Sequence, residues 1–292
     1  MFSQLEDLDP MNDVLFKYIF GSDDRKHITI DFLNAVLNRQ GENAIKEIEF
    51  PNVEFPPQHE GEKLTRIDIF AIIDDNERID IEVQCINLHN MAKRSLYYWA
   101  QMFLYQQSLK KAQDYIKLKP AITINVLNFK FLPYEDCYSN FVLYNIKNKY
   151  VLTDAMELYF LEVPKFHKKP FNEMNHVERW LAFFSNKFSK AEKEEIAMAE
   201  PAIQDAIDAS DKFFFNEKEY WAYMNRQAAI MDYNSAMNGA RAEGRTEGRI
   251  EGENKILRLV DELSKSGRFD EISRLNSDPV LVENLFKEFG IQ

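Results

Sequence analysis

Residues 66–84, Arg-Ile-Asp-Ile-Phe-Ala-Ile-Ile-Asp-Asp-Asn-Glu-Arg-Ile-Asp-Ile-Glu-Val-Gln, constrain this chain more than any other stretch. They read as two strands joined by a tight turn. Side chains alternate between the two faces of a strand. Ile67, Ile69, Ala71 and Ile73 therefore share one face of the first strand, and Asp68, Phe70 and Ile72 the other. On the second strand Ile79, Ile81, Val83 and Cys85 oppose Asp80, Glu82 and Gln84. An even-length loop would pair odd positions with even ones and send one apolar set into water. Burying both apolar sets together requires an odd loop or one bulged residue around Asp74 to Glu77. That register places Asp68, Glu82 and Gln84 on one face.

The chain around the hairpin is that of an ordinary water-soluble protein. With 292 residues, 45% hydrophobic and 29% charged, it has the length for a substantial core. No run of eighteen apolar residues exists, so no membrane-spanning helix is expected, and the first residues lack the basic and apolar parts of a signal peptide. Cys85 and Cys137, the only cysteines, are too few for a disulfide framework or a zinc site, which leads to the expectation of a reducing cytoplasm. The net charge of −12 argues against a general nucleic-acid binder, but its distribution softens that argument. Between Ile86 and Phe131 stand Lys93, Arg94, Lys110, Lys111, Lys117, Lys119 and Lys130 against Asp114 alone. Such a basic segment suits a phosphate backbone, and it equally suits a solvated helix face.

Apolar spacing predicts a helix from Asn12 to Phe20, with Asn12 or Asp13 as N-cap and Gly21 at its end, and a second from His27 to Leu37. A strand over Ile45 to Phe55 precedes the hairpin. A long helix from Asn90 to about Lys117 follows it, then a buried strand over Ala121 to Leu127. A helix between two strands is the crossover that a parallel neighbour needs, so the order α-β-β-β-α-β implies a mixed α/β sheet. Phe141 to Ile146 and Met156 to Val163 extend it. Pro164 to Pro170 is basic and proline-flanked, and beyond it the pattern is all helical. The expected division is 1–165 for the α/β core, 171–238 for a helical region and 239–292 for a tail.

The tail opens with three tetrads, Arg-Ala-Glu-Gly, Arg-Thr-Glu-Gly and Arg-Ile-Glu-Gly, that set Gly244, Gly248 and Gly252 four residues apart. Glycine costs a helix about 1 kcal/mol relative to alanine. The segment is either a helix whose glycine stripe admits a close partner, giving a homo-oligomer through residues 239–265, or a partly helical charged linker.

Asp68 with Glu82 and Gln84 forms the main chemical candidate. Two carboxylates on adjacent strands bind a divalent cation through oxygen, and Mg²⁺ accepts few protein ligands because it keeps several waters. Such a cation polarises a phosphate and helps to ionise an attacking water. By spacing alone, the polar outer face of an amphipathic hairpin gives the same pattern. Asp13 is a secondary candidate that also reads as a helix cap. Arg94 and Tyr98, four apart on one helix face, suit a phosphate and a stacked base, or simple core packing.

Several separated segments also carry a family resemblance. Asn12-Asp-Val-Leu-Phe-Lys-Tyr-Ile-Phe-Gly21, Phe32-Leu-Asn34, Arg66-Ile-Asp-Ile69, Ile81-Glu-Val-Gln84, Lys93-Arg-Ser-Leu-Tyr-Tyr-Trp99, Leu158-Tyr-Phe-Leu-Glu-Val-Pro-Lys-Phe166 and the glycine tetrads resemble the recombination-promoting nuclease / putative transposase family, a branch of the PD-(D/E)XK nuclease superfamily. The resemblance implies a restriction-endonuclease-like core followed by an all-α C-terminal region. It implies a Mg²⁺- or Mn²⁺-dependent DNA endonuclease, with Asp68 and Glu82 as metal-binding acids, Asp13 as a further acid, and Lys93, Arg94, Lys110 and Lys111 toward DNA. Gln84 takes the place of the superfamily's lysine, as it does elsewhere in the family. Glutamine orients a water but brings no positive charge, so Lys63, Lys93 or Arg94 would have to supply it. The competing expectation is a nuclease fold that has lost its chemistry and serves as a binding or assembly module.

Overall fold

The hairpin's register organises the sheet as the alternation requires. The computed structural model describes residues 8–51, 67–106, 114–185, 187 and 189–291. Strands β2 (Ile69–Ile73) and β3 (Arg78–Gln84) pair antiparallel, with Ile69 opposite Ile81 and Ala71 opposite Ile79. The connection is the odd loop Asp74–Asn76, closed by Ile73 N–H donating to Glu77 O at 3.1 Å. Asn76 closes the turn in the left-handed region, at φ 64°, which asparagine tolerates better than most residues.

The main sheet has the order β1-β2-β3-β4-β8-β5. β1 is Ile48–Glu49, β4 Ala121–Leu127, β5 Tyr138–Val142 and β8 Met156–Glu162. β3, β4 and β8 are parallel, and β1, β2 and β5 run antiparallel to their neighbours. β4 is buried along all seven residues, as its apolar and β-branched run requires of a central parallel strand, and its one amide, Asn125, is hydrogen-bonded to Ser95 and to Tyr159 O. This is the expected α/β class with a restriction-endonuclease-like core. Between β5 and β8 a small separate hairpin forms from β6 (Tyr144–Asn145) and β7 (Tyr150–Val151).

One face of the sheet is apolar. Ile69, Ala71, Ile79, Ile81, Val83, Ile122, Ile124 and Val126 pack there with α1 (Asp13–Phe20), α2 (Lys26–Val36), α4 (His176–Ser185) and α6 (Pro201–Phe214). Trp180 and Phe184 of α4 meet Phe20 and Phe32 ring to ring in that core. The opposite face carries α3 (Met91–Leu104), whose Met102 packs on Phe70 and Ala121 and whose Met91 packs on Leu127 and Phe160.

Two expected elements are shorter than their sequence patterns. α3 ends at Leu104 instead of about Lys117. Its fourteen residues span about 21 Å, close to the ~23 Å of the seven-residue strands it must cross back over. The Gln106 side chain then bonds both backbone groups of Lys119, at 2.8 and 2.9 Å, and so brings the chain to β4. The first strand is reduced to Ile48–Glu49; residues 45–47 and 50–51 lie outside it, and 52–55 lie outside the described residues.

The chain divides into two compact units, with the division after Ala228. The proline-flanked stretch 164–170 lies inside the first unit, and α5 (Lys190–Ala199) belongs there too. α7 is one helix, Glu217–Lys265, so the glycine tetrads are helical throughout. In the second unit, Leu259 and Leu263 of α7 pack with Leu285 of α9 (Pro279–Glu288), and α8 (Phe269–Ile272) contributes Ile272 to this cluster.

Candidate active site

The register sets Asp68 beside Glu82, and backbone amides lock the pair reciprocally. Asp68 N–H donates to Glu82 Oε1 at 2.9 Å, and Val83 N–H donates to Asp68 Oδ2 at 3.1 Å. Each acid is thus held by the other's strand. Gln84, two residues on and on the same face, donates from Nε2 to Glu82 Oε2 at 3.1 Å. The expected convergence of Asp68, Glu82 and Gln84 is therefore present.

Two cations close the cluster from opposite sides of the sheet. Arg94, in the first turn of α3, donates to Glu82 Oε2 at 2.8 Å and to Gln84 Oε1 at 3.2 Å, with the Tyr98 ring 5.1 Å from its guanidinium carbon. Arg94 and Tyr98 thus face the acids together. From α1, Lys17 Nζ lies 2.9 Å from Asp68 Oδ1. The sequence reading gave Lys17 no role, because nothing in a helical spacing says which residue of a distant strand a lysine will reach. Lys93 is exposed on α3. Lys63, Lys110 and Lys111 lie outside the described residues. Asp13 is held by Arg226 at 2.8 Å and has no hydrogen bond to the acid pair.

A third acid was also overlooked. Asp80 shares the face of Glu82 and Gln84, a placement that alternation alone provides. It is fully buried, and among the described residues neither of its carboxylate oxygens has a hydrogen-bond partner; nor does Oγ1 of Thr123, its register partner on β4. Burial, then the charges of Glu82 and Asp68, drives the Asp80 carboxyl well above the usual carboxylate range. Burial and then the Asp68 charge push Glu82 up to about 8, against the opposing pull of Arg94. Tyr98 rises to about 12, through burial first and then the Glu82 charge.

The cluster therefore sets three carboxyl groups, Asp68, Asp80 and Glu82, against two cations, Lys17 and Arg94. Carboxylates that raise one another's pKa in this way fit a divalent cation, which favours their ionised form. The donor set, oxygen throughout, suits a hard ion such as Mg²⁺ or Mn²⁺.

A different trio is the one set of three possible metal-ligating side chains that converges among the described residues: Asp31, His176 and Glu200. It lies among the helices of the opposite face, and its polar groups are occupied. Asp31 Oδ2 takes His176 Nε2 at 2.8 Å and Trp180 Nε1 at 3.0 Å, and Glu200 pairs with Arg179. The hydrogen bond to Asp31 raises the His176 pKa, so this trio reads as an imidazolium–carboxylate pin between α2 and α4.

A family model described as PD-(D/E)XK nuclease family transposase matches residues 10–240. That span takes in the acid pair, both cations, the sheet and α4 to α6. No curated protein and no solved structure gives a significant match.

Proposed function

The chain belongs to the PD-(D/E)XK nuclease family transposases, and from that premise we propose that it is a metal-dependent DNA endonuclease acting in DNA recombination or mobile-element movement. The observation that carries this reading is the reciprocal lock of Asp68 and Glu82, which presents two carboxyl groups side by side with Asp80 on the same strand face. Asp68 and Glu82 would hold Mg²⁺ or Mn²⁺. The bound cation would polarise the scissile phosphate and help to ionise a water.

The remaining work falls to the side chains. Gln84 is tied on both sides, to Glu82 and to Arg94. It keeps one amide N–H and one carbonyl lone pair to orient the water. The water's oxygen bonds to phosphorus as one P–O bond to a sugar breaks, and the departing oxygen takes a proton. Arg94 keeps Glu82 and Gln84 at fixed angles, and Tyr98 backs it. Lys93, exposed at the start of α3, contacts the DNA backbone, and Lys110 and Lys111 are assigned the same task.

The test is nicking of supercoiled plasmid by the purified protein in Mg²⁺ or Mn²⁺. Nicking that vanishes with chelator and in the Asp68→Ala, Glu82→Ala double variant supports the reading; equal nicking by that variant sinks it. One observation favours the second reading, a binding or assembly module. Lys17 and Arg94 already give the acid pair hydrogen-bonded partners without a metal. Absence of bound metal and of cleavage across both ions would select it.

The glycine stripe of α7 is assigned to contact with a second copy of the chain. A side chain added at Gly244, Gly248 or Gly252 meets nothing within 4 Å in the described chain. Replacing Gly244 and Gly248 by leucine should therefore lower the mass in light scattering while leaving the fold intact. An unchanged mass rejects the contact.

A further inference from the structure

We propose that Lys17 supplies, from α1, the positive charge that Gln84 does not bring to the site. It neutralises Asp68 in the metal-free protein, and it donates to a non-bridging oxygen of the scissile phosphate when Asp68 is engaged otherwise. The proposal rests on the nuclease reading above.

Two cations touch the acid pair, and they differ in what they have left to give. The Arg94 guanidinium is committed to Glu82, to Gln84 and to the Tyr98 ring, so it is fixed in place. Lys17 makes one contact, to Asp68 Oδ1, and an ammonium has three donors. Its side chain is 44% exposed against 12% for Asp68, so the amine stands between the acid and solvent, where a phosphate would arrive. Its four-carbon stem lets the amine swing, which the planar fork of an arginine held at two points does not.

The base of that stem is rigid. Asn12 Oδ1 accepts Val14 N–H at 3.0 Å and caps α1, and Leu15, Phe16, Ile19 and Phe20 anchor the helix in the core. A fixed helix with one mobile cation at its edge delivers charge to one place. Among the described residues, the alternatives fall short. Arg94 is spent on the acids, Arg226 is taken by Asp13, and Lys93 lies on the exposed side of α3.

Charge counting agrees. With Glu82 ionised, the state that a divalent cation favours, Asp68 and Glu82 balance Lys17 and Arg94. A divalent cation then adds two positive charges, which a phosphate diester and a hydroxide offset. Lys17, released from Asp68, faces the anion that develops on the phosphate, where a donor aimed at developing charge gains most.

The experiment compares wild type, Lys17→Ala and Lys17→Arg. Calorimetric titration of the DNA-free proteins with Mn²⁺ reads the competition for Asp68. Single-turnover cleavage of a labelled duplex reads the donation to phosphate. Lys17→Ala should bind Mn²⁺ about twofold to fivefold more tightly, the worth of one partly exposed ion pair. It should cleave about 10²- to 10³-fold more slowly, the usual loss for one transition-state donor. Lys17→Arg keeps the charge and should recover about tenfold or more over the alanine variant. Cleavage by Lys17→Ala within about threefold of wild type overturns the donation, because a donor of this kind is worth far more. Mn²⁺ affinity equal to wild type overturns the competition. Wild type that cleaves nothing in Mg²⁺ or Mn²⁺ overturns the nuclease reading and this role with it. That failure is distinguishable, because a wrong assignment of Lys17 alone leaves wild-type cleavage intact.

Discussion

Two buried acid clusters sit near the carboxyl ends of parallel strands in the same sheet, with β4 between them, and they are built on opposite principles. On β8, Glu162 is fully buried and every demand it makes is met. Lys165 Nζ lies 2.8 Å from its Oε1, and Phe131 N–H and Leu132 N–H donate to its Oε2. Lys165 is satisfied in turn by the carbonyl oxygens of Leu132 and Tyr134. On β3, Asp80 has no partner at either oxygen among the described residues, and Glu82 is pushed up to about 8 by burial and then by Asp68. A closed pair of buried charges fastens a loop to a strand. A cluster of carboxyl groups that lack full compensation destabilises the fold locally, and in the proposed reading a cation would relieve that cost.

Four measurements break or sharpen this contrast. The largest effect belongs to the closed pair. Lys165→Ala, or Glu162→Val, leaves one buried charge uncompensated and should lower unfolding free energy by about 3–5 kcal/mol. The urea midpoint reads it. A loss under 1 kcal/mol would mean the pair holds nothing together.

Asp80→Val should act in the opposite direction. It removes a buried carboxyl that no donor satisfies, so stability should rise by about 1–3 kcal/mol. Denaturation curves that place Asp80→Val beside Glu162→Val, both destabilised, would erase the distinction between the clusters.

Glu82 gives a pH signature. Its carboxyl titrates at about 8 in the fold against 4.5 for an ordinary glutamate, so the folded state holds the extra proton between those values. The stability contributed by the raised pKa is therefore complete below pH 4.5 and is lost as pH rises through 8. Glu82→Gln cannot ionise, and near pH 8.5 it should melt at least ~2 °C above wild type, the shift for about 1 kcal/mol in a domain of this size. Millimolar Mg²⁺ should raise the wild-type melting temperature at that pH and leave Glu82→Gln unmoved. Parallel melting profiles for the two proteins from pH 5 to 9 would contradict the crowding of charge at β3.

The smallest effect tests the turn beneath the site. Asn76→Ala puts an ordinary side chain at φ 64° and should cost about 1 kcal/mol, while Asn76→Gly should be neutral or slightly stabilising. Equal stability of all three would show that the turn does not help to hold the register.

The hairpin register, the convergence of Asp68, Glu82 and Gln84, the odd loop and the core order of elements were all legible in the sequence. They depend on a period of two within one short stretch, and on the cost of exposing a whole apolar set when that period slips. Asp80 was legible as a position but not as a liability, because its missing partners become visible only when α3 and β4 cover it. α3 ended early for a reason no local pattern carries, the length of the strands it crosses. The helices α4 to α6 join the core of the sheet across an intervening proline-flanked stretch, because Trp180 and Phe184 find Phe20 and Phe32 there. The charges beside the acids were settled by tertiary structure, which selects Arg94 from the cations that the sequence offers and adds Lys17. Which cation reaches Asp68 depends on how α1 seats against the apolar face, and which reaches Glu82 depends on how α3 crosses the other. Alternation is a property of neighbours along the chain, so sequence sets it. Charge compensation is a property of neighbours in space, and only packing brings Lys17 and Arg94 to the acids that alternation had already aligned.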